Sequence, residues 1–182
     1  MAKSGTAAVR WVGLLIVGGL IGYWIGHAGA SRPSDAAGAA AATSVARGAQ
    51  LVTLGGCDDC HTPKRADGSP DMTRRMAGYE SSQGVPAASP GAIAANMHLT
   101  AWRGPWGLSL SRNITPDPET GIGNWTFEQF KHTLRSGVDP AGKALLPPMP
   151  AAALASLPDS DLEAIYNYLR TVPAIHNAVT GP

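Results

Sequence analysis

Two regimes of apolar patterning divide the chain. Trp11 to Ile25 reads WVGLLIVGGLIGYWI without a charged residue, and Lys3 and Arg10 precede it. From Val45 onward the apolar residues recur at helical spacing and are interrupted by Gly and Pro, as in a folded domain. The spacing predicts three short helices there. In the first, Val45, Gly48, Ala49 and Val52 share a face, and Gly55-Gly56 supplies the stop. The second opens on Thr126 with Gln129 three residues on, a capping-box pattern, points Phe127, Phe130 and Leu134 inward and ends at Gly137. The third begins near Pro158 and Asp159, places Leu162, Ile165, Tyr166 and Leu169 together and stops before Pro173. No stretch alternates with the period of a strand, so Thr62 to Arg112 and Asn113 to Gly123 are expected as ordered loop. The predicted fold class is all-α.

The uncharged run sets the organisation of the rest. Residues 1–30 read as a signal-anchor or transmembrane helix, since Trp11 through Ala30 at roughly 1.5 Å per residue spans about the 30 Å hydrocarbon core of a bilayer. Trp11 at one end and Tyr23 with Trp24 at the other suit the two interfaces of a retained span. Ala28-Gly29-Ala30 offers a small-x-small cleavage site, so a removable export signal is the rival reading. Either way the positive charges precede the span, and everything after it is expected to be exported. Gly18, Gly22 and Gly26 recur every four residues, spacing that would admit a close helix partner. Residues 31–44, SRPSDAAGAAAATS, carry too little apolar bulk for a core and are expected as a flexible linker. The folded domain is then 45–182.

Composition narrows the chemistry. Of 182 residues, 22 are Gly and 15 Pro, which favours loops around short helices over a multidomain enzyme. The 14 Lys and Arg are balanced by 13 Asp and Glu scattered along the chain, so there is no basic stripe for nucleic acid. Only two cysteines occur, too close together and too few for a disulfide scaffold.

Those cysteines lie in Cys57-Asp58-Asp59-Cys60-His61. In the C-x-x-C-H spacing, two thiols one turn apart reach the two vinyl groups of a haem, and the adjacent imidazole meets the iron. A thioredoxin-like pair would need a preceding strand, whereas a glycine-terminated helix precedes this one. A structural zinc site needs four ligands, and no second pair of suitable spacing exists. For the other face of the iron the candidates are Met72, Met76, Met97, Met149, His98, His132 and His176. Met149 is preferred because Leu146-Pro147-Pro148-Met149-Pro150 restricts its own backbone and can hold a thioether still. The alternative for any of these methionines is gap-filling in a core. Asp58 and Asp59 are expected to be solvated.

A helix ending in CDDCH, a proline-flanked methionine 88 residues after His61 and a carboxyl-terminal helix together resemble the class I c-type cytochromes. Gly104-Pro105-Trp106-Gly107, the stretch Asn113-Ile114-Thr115-Pro116-Asp117-Pro118-Glu119-Thr120-Gly121-Ile122-Gly123 and the PPMP segment are similar, more narrowly, to the bacterial periplasmic cytochromes that accompany dehydrogenases. The resemblance implies the cytochrome c fold and one covalently attached haem c, bound by Cys57 and Cys60 with His61 and Met149 on the iron. It also implies a first helix crossing the last, with Gly48 facing Tyr166. Relatives often carry two or three such motifs, and this sequence has one. The implied role is a periplasmic electron carrier, tethered to the bacterial inner membrane, between a dehydrogenase or respiratory complex and an oxidase or other cytochrome. It has no catalytic residues of its own. The alternative is a haem subunit of an oxidoreductase complex acting in sulfur or small-molecule oxidation. Trp125 and Asn113 are candidate donors to haem propionates, with core packing and turn chemistry as their ordinary roles. Trp102 and Trp106 beside Arg103 suit either a docking patch or a loop folded over the haem edge.

Overall fold

Alanine is the strongest helix former, and a run of it needs no core to become helical once a nucleus forms beside it. In the computed structural model, which describes residues 33–181, helix α1 accordingly runs Pro33–Leu54. Where a flexible linker is expected over 31–44, the chain is helical from Pro33, because small side chains deny the segment a core but not a helix. The compact unit begins at Ala40, and Asn167 donates a side-chain hydrogen bond to the Ser44 hydroxyl at 3.2 Å. The apolar run Trp11 to Ile25 and Gly18, Gly22 and Gly26 lie outside the described residues. Among the described residues no helix is long and apolar enough to cross a membrane.

α1 ends where Gly55 N–H bonds the Leu51 carbonyl at 2.8 Å. Gly56, at φ 64°, turns the chain through the left-handed region that glycine adopts without a Cβ clash and opens the five-residue helix α2, Cys57–His61. Further on, α3 spans Phe127–Ser136 with both halves of the Thr126–Gln129 capping box made and Gly137 left-handed at its end. α4 is the short helix Ala151–Ala155. α5 spans Asp159–Leu169. Val52 of α1, Phe130 and Leu134 of α3 and Leu162, Ile165 and Leu169 of α5 close one core together with Met76 and Ile122.

The crossing of α1 over α5 depends on Gly48. A Cβ there would stand 1.9 Å from the Ala164 carbonyl oxygen and 2.7 Å from Tyr168 Cβ, so only hydrogen fits. The residues facing Gly48 are therefore Ala164 and Tyr168, one helical turn apart, and not Tyr166. At about 100° per residue, position 166 points to the other side of α5. Its ring packs against Phe127 and Phe130 at 5.8 and 5.5 Å, and its hydroxyl donates to the Trp125 carbonyl at 2.8 Å.

The all-α expectation also needs correcting. Strands β1 (Ala94–Ala95), β2 (Ala101–Gly104) and β3 (Gly107–Leu110) form an antiparallel sheet in that order. Ala95 pairs with Trp102, Ala101 with Leu110, and Gly104 with Gly107 across the Pro105-Trp106 turn. Two to four residues are too few to show a period of two, so pairing between segments, not local pattern, makes these strands. The carboxyl-terminal stretch after Pro173 has no helix or strand, yet it sutures the loops. Asn177 donates to the Ala77 and Tyr79 carbonyls at 2.7 and 2.9 Å, and Arg112 to the Val179 carbonyl at 2.8 Å.

Candidate haem site

α2 places Cys57 and Cys60 one turn apart, with His61 buried at its end. The His61 Nδ1 lies 2.7 Å from the Arg112 carbonyl oxygen. A carbonyl only accepts, so Nδ1 carries the proton and Nε2 keeps its lone pair for a metal. Burial pulls the His61 pKa below its ordinary value, outweighing this hydrogen bond and the Asp58 charge, and so favours the neutral, ligating ring. Both thiols are free. Burial, assisted by the Asp58 charge, pushes the Cys57 pKa up to about 11, and burial and Asp59 raise that of Cys60. Activated cysteine pairs sit instead in electropositive sites that lower their pKa. Protonated thiols facing an apolar space fit haem attachment better than disulfide exchange.

Cys57, Cys60, His61 and Met149 line one cavity of about 290 Å³, with Ile122, Phe130, Leu134 and Leu154 among its apolar walls. Met149 N–H bonds the Leu146 carbonyl at 3.2 Å, and Ala151 N–H returns to the Met149 carbonyl at 2.8 Å. The Pro147-Pro148 peptide beside it is cis. None of the other sequence candidates lines this cavity. Met76 is wholly buried in the core, while Met72 and Met97 are 57% and 89% exposed. His132 and His176 are exposed, and His98 sits in the turn between β1 and β2. One imidazole nitrogen free to bind a metal, two unbonded thiols and one thioether around a largely apolar space fit a haem c with histidine and methionine ligands.

Other expectations resolve differently. Asn113 is consumed by its own loop, its Oδ1 accepting from Thr115 N–H and hydroxyl at 3.0 and 2.8 Å and its amide donating to Thr120 Oγ1 and the Ile175 carbonyl. Turn chemistry, not a propionate, explains it. Trp125 lines the cavity, as does Trp102, whose indole donates to the Leu99 carbonyl at 2.7 Å. Trp102 is thus part of the fold over the cavity, and Arg103 donates to the Pro86 carbonyl at 2.9 Å. Asp58 is not merely solvated. Arg75 grips both its oxygens, at 2.9 and 2.7 Å, and the Thr62 hydroxyl donates to it at 2.7 Å. Lys64 donates to the carbonyls of Asp58, Asp59 and Thr62, a cation on the negative end of α2. Sequence reasoning missed Lys64, Arg75 and the Arg112 carbonyl. Only the lysine carried a signal, a cation just past a helix end.

Comparison with known proteins finds cytochrome c subunits. Over 132 residues the chain is 33% identical to a subunit of the nicotinate dehydrogenase of Pseudomonas putida, covering 72% of this chain and 9% of that protein. Over 66 residues it is 46% identical to the cytochrome c subunit of a quinone alcohol dehydrogenase of Gluconobacter oxydans, 36% of this chain and 14% of that one. Cytochrome c subunits of dehydrogenases recur among its homologues. These likenesses support a c-type cytochrome that carries haem c and transfers electrons. A diheme cytochrome of Cereibacter sphaeroides, 27% identical over 173 residues that cover 95% of this chain and 49% of that one, extends the likeness beyond monohaem proteins. The chain spans at most about half the length of these curated relatives. No family model matches it.

Proposed function

We propose that this chain is a single-haem electron-transfer domain, one electron in and one out. The observation that carries the reading is the convergence of Cys57, Cys60, His61 and Met149 on one cavity from segments far apart in sequence. Cys57 and Cys60 would hold the porphyrin through thioether bonds, His61 would supply Nε2 and Met149 its sulfur. A haem held this way supplies a reversible ferric–ferrous couple, which a thioether ligand sets higher than a second nitrogen would. With His61 and Met149 both on the iron, oxygen and substrate would find no open site, which favours carriage of electrons over ligand chemistry. His61 Nδ1 holds its proton against the Arg112 carbonyl, which orients the ring.

The apolar run Trp11 to Ile25 supports tethering to a bacterial inner membrane with the haem domain in the periplasm. The dehydrogenase subunits among its homologues support a dehydrogenase as electron donor, and an oxidase or another cytochrome as acceptor follows from the direction of flow. The test is a reduced-minus-oxidised spectrum with and without carbon monoxide, on protein matured with its export segment. A c-type spectrum indifferent to carbon monoxide is expected. A spectrum that carbon monoxide alters would overturn the closed site and move the function toward small-molecule chemistry.

A further inference from the structure

Asp58 follows the first haem-attaching cysteine directly, yet its carboxylate points away from solvent into a network. Arg75 donates from Nε to Oδ1 at 2.9 Å and from Nη2 to Oδ2 at 2.7 Å, a two-pronged fork. Its remaining nitrogen, Nη1, donates to the Tyr168 hydroxyl on α5 at 2.6 Å, and its guanidinium lies over the Tyr168 ring at 5.6 Å. The Thr62 hydroxyl donates to Asp58 Oδ1 and accepts from Met76 N–H at 3.1 Å. Three segments distant in sequence, α2, the turn at 75–76 and α5, are thereby tied at one carboxylate. The side chains of Arg75 and Asp58 are only 21% and 28% exposed, so solvent screens their charges weakly. Asp58 lies on the same five-residue helix as Cys57 and His61.

We propose that the Asp58–Arg75 pair is a positioning device that holds α2 against α5 and, by cancelling its two charges beside the cavity, sets the reduction potential of the site from the His61 side. The inference rests on the electron-transfer reading above. An unpaired carboxylate there stabilises the ferric iron, with its additional positive charge, and an unpaired guanidinium destabilises it. Removing either partner therefore shifts the potential in opposite directions. Arg75→Gln lowers it, Asp58→Asn raises it, and the double variant returns it toward the starting value.

The experiment is a spectroelectrochemical titration of the membrane-tethered, haem-loaded chain and these three variants, with covalent haem measured by mass and stability by thermal unfolding. Arg75→Lys is the control that keeps the charge and loses the fork. It is expected to unfold at a lower temperature with the potential close to that of the parent. Single variants that shift in the same direction, or not at all, while haem stays attached would overturn the inference and leave the electron-transfer reading standing. Should the unsubstituted chain carry no covalent haem, that reading fails first. A merely structural role would lower stability in all four variants without opposed potential shifts.

Discussion

The wall of the cavity that carries His61 and the wall that carries Met149 are built by different means. On the His61 side a five-residue helix is fastened from separate segments, by Nδ1 to the Arg112 carbonyl and the Arg75 fork on Asp58, and locally by Lys64 on the helix end. On the Met149 side there is no such helix at the residue itself. Its loop is held by the backbone bonds Leu145 N–H to the Gly137 carbonyl at 2.7 Å and Met149 N–H to the Leu146 carbonyl, and by three prolines whose rings restrict the chain. One wall is rigid because other parts of the molecule hold it. The other relies on its own backbone and on shallow packing against the core. A change on the His61 side should therefore spread through the fold, and one at Met149 should stay local.

The largest effect should come from the thiols. Replacing Cys57 and Cys60 with Ala removes both covalent bonds, and mass spectrometry of the denatured protein should then find no haem adduct. Covalent haem surviving in that double variant would refute the attachment reading.

Met149→Ala should leave the haem attached, open one axial position to carbon monoxide and lower the reduction potential. An unchanged potential with no carbon monoxide spectrum would place the second ligand elsewhere and dissolve the contrast between the walls.

A smaller but wider effect is expected at the α1–α5 crossing. Gly48→Val puts bulk where even a Cβ meets the Ala164 carbonyl, and overpacking of this kind typically costs about 1–3 kcal/mol. Urea unfolding would measure it, and a loss indistinguishable from zero would show that the helices separate freely. Because α1 runs directly into Gly55-Gly56 and α2, the His61 side should also show faster amide exchange.

The smallest effect concerns acid. Hydrogen bonds from the Thr120 side chain and backbone, with further help from Glu119 N–H and His176, hold the Asp117 pKa below the ordinary carboxylate value. Its stabilisation is full above the unfolded carboxylate pKa and is lost as pH falls through the lower folded value. Asp117→Asn should therefore narrow the gap in stability between pH 6 and pH 3, read by urea titration at each pH. A gap as wide as in the parent would assign the acid sensitivity to other carboxylates.

How much of this was legible in advance depended on the range of the interaction. α3 was readable at both ends because its cap is Thr126 with Gln129 and its stop is Gly137, neighbours that meet within one turn. α5 was readable for the same reason, from its start near Pro158 and its apolar face. The β1–β3 sheet was not, because its strands carry no period of their own and exist only by pairing. Gly48 was rightly read as a crossing point, but its partners depended on the rotation of α5 about its axis, which many packing contacts set together. Asp58 looked solvated because nothing near it in sequence announces Arg75 or Tyr168.

The sequence by itself determined the donor types. The C-x-x-C-H spacing sets two thiols and an imidazole on one turn of backbone, and the prolines around Met149 stiffen a thioether in a loop, both consequences of covalent geometry over a few residues. Tertiary structure alone decided that these donors face one apolar cavity, that the Arg112 carbonyl selects the His61 tautomer and that Arg75 takes up the Asp58 charge. Those are encounters between segments far apart in sequence, and their geometry follows from the packing of the whole core and not from any local preference.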